Sequence, residues 1–273
     1  MKPGEIGFDR RLRREWLDFV ADCAAAHIAP DVIRAKLHDL LTPAVAESGE
    51  RGARSKTITV LLRLWVVSDP RTDGLRLDAL HLLPTCTPGE RLALHWGLAM
   101  AEYPFFSDVV SSIGRLVRLQ PTVSLAEVVR RAKEKWGDRE RVARSARHVL
   151  QSIRDWGVLA ETRRPGVYRV APQQATVRGD LALWMIEAVL RGASASVAPL
   201  RQLDRAPALF PFQITLRSIE VPRSPRLELM RQAGDEDMVG LRTPASASPV
   251  RPRGPQSGCR NHPQSSDVVR PRD

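Results

Sequence analysis

The sequence predicts a mainly α-helical protein with a small α+β part towards its C-terminus and a disordered basic tail. Three observations carry that expectation. Apolar residues recur at steps of three and four along most of the chain up to about residue 190, the period of helices packed on one side. Short alternating runs bounded by Gly and Pro occur at 158–161 and 167–170, as strands would. From Thr243 the chain reads TPASASPVRPRGPQSGCRNHPQSSDVVRPRD, with too little apolar surface to offset its ordering entropy.

Taken in order, residues 1–104 read as a helical N-terminal domain. Leu12, Trp16, Phe19 and Cys23 form one apolar stripe, and Pro30-Asp31 opens DVIRAKLHDLL, because proline suits a first helical turn. Residues 44–52 read as a connection. SKTITVLLRLWVV is helical or extended by pattern, its leucines and Trp65 favouring a helix, and SDPRTDG is a turn-rich break. Thr87-Pro88 reads as a cap and first position for GERLALHWGLAMAEY. Residues 105–172 follow with the clearest pattern. FFSDVVSSIGRLVRL ends before Pro121, and Ser124 caps LAEVVRRAKEKW in a capping box with Glu127. Gly137 ends that helix, and a third runs from Asp138 to Gly157. Residues 173–242 hold one more apolar helix, DLALWMIEAVL, and two expected strands, FPFQITLRSIEV and RLELMRQ, flanking Pro222 and Pro225. The acidic trio Asp235-Glu236-Asp237 reads as a helix start or solvated turn.

Charge separates these segments. The chain of 273 residues carries a net charge of +11. Residues 1–104 hold fourteen basic and fourteen acidic side chains, whereas 105–170 hold fourteen basic against seven acidic. A localised surplus of this kind is the electrostatic footprint of a polyanion partner. No run approaches the roughly 20 apolar residues needed to cross a bilayer, so no membrane partner is expected. The start, MKPGEIGFDRRLRREW, has no apolar stretch after its charges, as a secretory signal would. Cys23, Cys86 and Cys259 are far apart and make no CxxC, which fits a reducing cytoplasm.

Three helices and a two-strand hairpin in about 65 residues is the order of a winged helix-turn-helix. In the third helix Val142, Ala146, Val149, Leu150 and Ile153 fall on one side, suited to packing. Arg141, Arg144, Ser145, His148 and Gln151 are placed on the other, with Arg147 beside them. Arg, Ser and Gln can bond base edges in a major groove, which admits a helix. Arg163, Arg164 and Arg169 lie on or beside the hairpin, where a wing reaches the backbone. These nine residues are the candidate DNA contacts. A winged helix can instead dock a protein, so an assembly adaptor is the alternative. The run Arg10, Arg11, Arg13 and Arg14 reads as a solvated face balanced by Glu15 and Asp18. A second nucleic-acid contact is its alternative, as it is for Arg51, Arg54 and Lys56.

Chemistry is otherwise sparse. The histidines (His27, His38, His81, His95, His148, His262) make no HxxxH, HExxH or Cys/His ligand spacing, so no metal, cofactor or catalytic residue is assigned. No GxxxxGK[ST], GxGxxG or GxSxG is present. His95, beside Trp96 on an apolar helix, reads as a satisfied, partly buried histidine rather than a base. Glu228 in RSPRLELMRQ lacks the nearby lysine of a nuclease site. No enzyme is therefore expected, and oligomeric state is left open.

The order of segments RSKTITVLLRLW, then LALHWGLAMAEYPFFSDVV with its Tyr103-Pro104-Phe105 step, then SARHVLQSIRDWGVL, resembles the BrxA proteins of bacterial BREX phage-defence islands over roughly residues 10–170. The resemblance implies a non-enzymatic DNA-binding component with helix-turn-helix and winged-helix parts, acting beside a methyltransferase and an ATPase, with other defence proteins as partners. It assigns no individual DNA contact, and 175–242 and the Arg/Pro tail have no counterpart in it.

Overall fold

The helices form where apolar spacing places them. In the computed structural model, which describes residues 6–46, 52–67, 69–171, 175–232 and 236–242, α1 (Arg14–Ala25) buries Trp16, Leu17, Val20, Ala21 and Cys23. α2 (Pro30–Leu41) starts on its proline and buries Ile33, Leu37 and Leu41. The ambiguous stretch is helical: α3 (Ala53–Trp65) buries seven residues, including Leu61, Leu64 and Trp65. α4 (Asp73–Leu82) begins inside the stretch expected to be a break. The expected disordered tail lies outside the described residues.

α5 (Pro88–Glu102) starts on a complete capping box, the Thr87 hydroxyl accepting from the Glu90 amide and the Glu90 carboxylate from the Thr87 amide. Every residue from Leu92 to Glu102 is buried, so the helix is covered on all sides. α6 (Pro104–Leu119) follows after a single residue, Tyr103. Next come β1 (Val123–Ser124), α7 (Leu125–Trp136), α8 (Glu140–Asp155), β2 (Leu159–Glu161) and β3 (Val167–Val170). The three strands make an antiparallel sheet in the order β1-β3-β2, with Val123 opposite Tyr168 and Leu159 opposite Val170.

Beyond it, β4 (Ala175–Arg178) leads into α9 (Gly179–Gly192), which is buried from Leu181 through Leu190. β5 (Val197–Pro199) and the single turn α10 (Leu200–Leu203) precede β6 (Phe212–Thr215), which pairs in parallel with β4. β7 (Leu227–Gln232) and β8 (Glu236–Leu241) complete an antiparallel sheet, β5-β8-β7. Two expectations are corrected here. FPFQITLRSIEV is a strand only to Thr215, and Ser218–Arg223 is a 3-10 helix around Pro222, which cannot donate to a strand ladder. Glu236 and Asp237 open a strand rather than a helix or turn, while Asp235 lies outside the described residues.

The few aromatics sit where they join distant segments. The Trp96 ring meets Phe106, Trp156, Phe210 and Phe212 edge-on, at centroid distances of 5.4, 6.0, 5.6 and 5.7 Å. Its indole N–H donates to the Ala208 carbonyl (2.9 Å), while Trp156 donates to Leu12 (3.0 Å) and Trp184 to Leu75 (2.8 Å). α5 and α9 cross closely at Gly97, where a Cβ would stand 2.2 Å from the Trp184 ring. Packing thus runs across residues 104 and 172: Phe8 lies against Tyr103 and Phe106, and Trp96 against Phe210.

Candidate nucleic-acid interface

α7 and α8 are placed by local chemistry. The Ser124 hydroxyl accepts from the Glu127 amide (3.2 Å) and caps α7. The reciprocal half of the expected capping box does not form, because Glu127 accepts from the Gln120 side chain (3.2 Å) and pairs with Arg131 (3.5 Å). Gly137, at φ 91°, makes the turn into α8.

α8 buries Val142, Ala143, Ala146, Val149, Leu150 and Ile153 and leaves Arg141, Arg144 and Arg147 exposed. His148 and Gln151 are half-buried. Ser145 departs from the expected face: it is 1 % exposed and cannot reach a base edge. It lies three residues after Val142 and four before Val149, so both helical neighbours point inwards, a signal already in the sequence. Arg144 has no ion pair among the described residues. Arg141 meets Asp9 at 3.6 Å and Arg147 meets Glu140 at 3.2 Å, both at the surface. Exposed pairs of this type contribute about 0–1 kcal/mol, so a phosphate can displace either carboxylate at little cost.

The hairpin is held by Thr162, whose hydroxyl donates to the Val167 carbonyl (2.9 Å) and accepts from the Arg164 amide (3.2 Å). Gly166 turns at φ 74°, and its carbonyl accepts from the Leu125 amide (2.8 Å), tying the turn to the start of α7. Arg163, Arg164 and Arg169 are exposed, with no ion pair among the described residues. Six arginines of the candidate set are therefore solvent-facing: three on α8 and three on the hairpin.

The structure adds neighbours that local sequence cannot reveal. Residues 6–13 run against α8, the Leu12 amide donating to the Ser152 hydroxyl (2.9 Å) and Arg11 pairing with Asp155. This brings Arg10, Arg11 and Arg13, together with Lys56 at the start of α3, around His148. The expected balance with Glu15 and Asp18 is present, Arg13 and Arg14 pairing with them at 3.6 Å each, but both arginines are half-buried rather than on a simple solvated face, and Arg14 also donates to the Pro88 carbonyl. Burial, with the charges of Arg10 and Arg144, lowers the pKa of His148 against the opposing influence of Gln151 and Asp9.

His95 is fully buried and satisfied. Trp65 donates to its Nδ1 (3.1 Å), which leaves Nε2 as the donor to Asp18 (3.0 Å). Burial lowers its pKa. Asp18 is also lowered: burial would raise it, but hydrogen bonds from His95 and Arg91 and the charge of Arg14 outweigh that. Burial raises the thiol pKa of Cys23 and Cys86, which leaves both as thiols rather than nucleophilic thiolates. Among the described residues no group of three His, Cys, Asp or Glu side chains is placed to hold a metal ion, and no helix is long and apolar enough to cross a membrane.

No family model, curated protein or solved structure matches this chain.

Proposed function

We propose that residues 105–172 act as a winged helix-turn-helix that binds double-stranded DNA, in a cytoplasmic, non-enzymatic component of a bacterial anti-phage defence or regulatory system. The observation that carries the reading is the outer face of α8. Arg144 stands there with no ion pair among the described residues, between Arg141 and Arg147, whose own partners are weak surface carboxylates. The element order supports it: helix, short strand, two helices, then a hairpin closing a three-stranded sheet. In that arrangement α8 enters the major groove and the hairpin arginines hold backbone phosphates. The defence setting rests on the resemblance to BrxA proteins alone.

The test is duplex binding by fluorescence anisotropy across a salt series. Wild-type affinity is expected to fall steeply with salt, and Arg144→Ala/Arg147→Ala is expected to weaken binding and reduce the log–log slope by about 0.9 per lost phosphate contact. Absence of wild-type binding, or an unchanged double variant, sinks the reading.

One observation favours a second reading, a protein-docking adaptor. A groove of about 740 Å³ along α7 exposes Leu125, Ala126 and Val129 beside Arg147. Under that reading Val129→Asp abolishes partner capture while duplex binding is absent.

A further inference from the structure

A cavity of about 420 Å³ opens where segment 6–13, the start of α3 and the middle of α8 meet. Arg10, Arg11, Arg13, Lys56 and His148 line it, and no Asp or Glu is among its described lining residues. The carboxylates nearby hold the guanidiniums from outside: Asp9 lies 3.9 Å from Arg10, Glu15 is 3.6 Å from Arg13, and Asp155 bonds Arg11. Lys56 is exposed and has no ion pair among the described residues.

Arg10 Nε and His148 Nδ1, on two of the lining residues, have no hydrogen-bond partner among the described residues. Phosphate oxygens in the cavity would accept from guanidinium N–H groups of Arg10, Arg11 and Arg13 and from the Lys56 ammonium. α3 adds to the field, for Gly52 and Ala53 at its start also line the cavity and its first turn holds no acidic residue. The partial positive charge of a helix start then acts in the same direction as the side chains.

The chemistry favours phosphate over a carboxylate. Arginines arrayed around a helix start match several oxygens on one centre, and the volume admits a phosphate with its flanking sugars rather than a bare ion. His148 lies one helical turn beyond Arg144 on α8, so a strand following the exposed arginines reaches the cavity next.

We propose that this cavity is a phosphate pocket that takes a backbone phosphate of the DNA strand lying along α8, joining segment 6–13 and α3 to the interface. The identity of the strand rests on the DNA-binding reading above, while the pocket's affinity for phosphate does not.

Two measurements on the full chain, wild type, Lys56→Gln and Arg10→Gln/Lys56→Gln, separate the two. In thermal melts at fixed ionic strength, inorganic phosphate replacing chloride is expected to raise the wild-type Tm and to leave the double variant unmoved. No rise in the wild type overturns the pocket. Melting in chloride checks that each variant folds, and Lys56→Gln, removing an exposed side chain with no ion pair among the described residues, keeps the test valid if the double variant does not. In the duplex salt series, Lys56→Gln is expected to reduce the slope by about 0.9. A slope equal to wild type, with Arg144→Ala/Arg147→Ala still weakening binding, overturns the pocket's role and leaves the DNA reading standing. If the wild type binds no duplex, the DNA reading and the strand assignment fall together, and a phosphate-dependent Tm then marks only an anion site.

Discussion

α5 and α8 are nearly equal in length and opposite in design. α5 is buried on every side from Leu92 to Glu102, and its histidine, His95, is locked between Trp65 and Asp18. α8 buries one face and leaves three arginines to solvent on the other. A helix whose whole circumference is packed has no surface left for a partner, so change there is paid in stability. A helix packed on one side can change its outer residues with little effect on folding. The contrast places structure in α5 and a free, basic surface on α8.

The comparison breaks most severely at Trp96. Trp96→Ala removes a ring that four aromatic neighbours contact and is expected to cost about 3–5 kcal/mol in a urea melt. A loss below 1 kcal/mol would show that α5 is not the packing centre. Gly97→Ala comes next. Its methyl must displace the Trp184 ring, at an expected cost of about 1–3 kcal/mol. Acid sharpens the contrast further. The folded-state pKa of His95 lies below its ordinary 6.5, so below that pH the unfolded chain binds a proton that the folded chain refuses. Stability therefore falls as pH drops from about 6.5, by at most about 1.4 kcal/mol per pH unit for that proton. His148, also held low, acts with the same sign. A flat stability profile between pH 7 and 5.5 would contradict the locked tautomer. The smallest effect is expected on α8: Arg144→Ala should change stability by less than about 0.5 kcal/mol while weakening duplex affinity.

What the sequence made legible follows from the range of the forces involved. α8, the Ser124 cap and the hairpin at Pro165-Gly166 are set by neighbours a few residues apart, and their pattern is written locally. Ser145 is internal, as its spacing to Val142 and Val149 marks it, but its hydroxyl has the chemistry of a surface residue and masks that position. β4 and β5 were missed for a different reason. Their partners are β6 and β8, with Ala175 opposite Phe212 and Val197 opposite Gly240, and strands of three or four residues carry no period of their own. The basic cluster around His148 was equally hidden, since Arg10 and Lys56 reach it only through tertiary packing.

Segment 6–13 has a consequence for how the molecule is made. Its Leu12 amide waits for the hydroxyl of Ser152, 140 residues further along the chain, and its Leu12 carbonyl for the indole of Trp156. During synthesis these first residues emerge long before their binding groove on α8 exists, so α1 and α2 must form with that edge unsealed. Segment 6–13 can close over α8 only once that helix is present. A bulky N-terminal tag placed close to Ile6 would be felt first at α8, far away in sequence, rather than in the helices beside it.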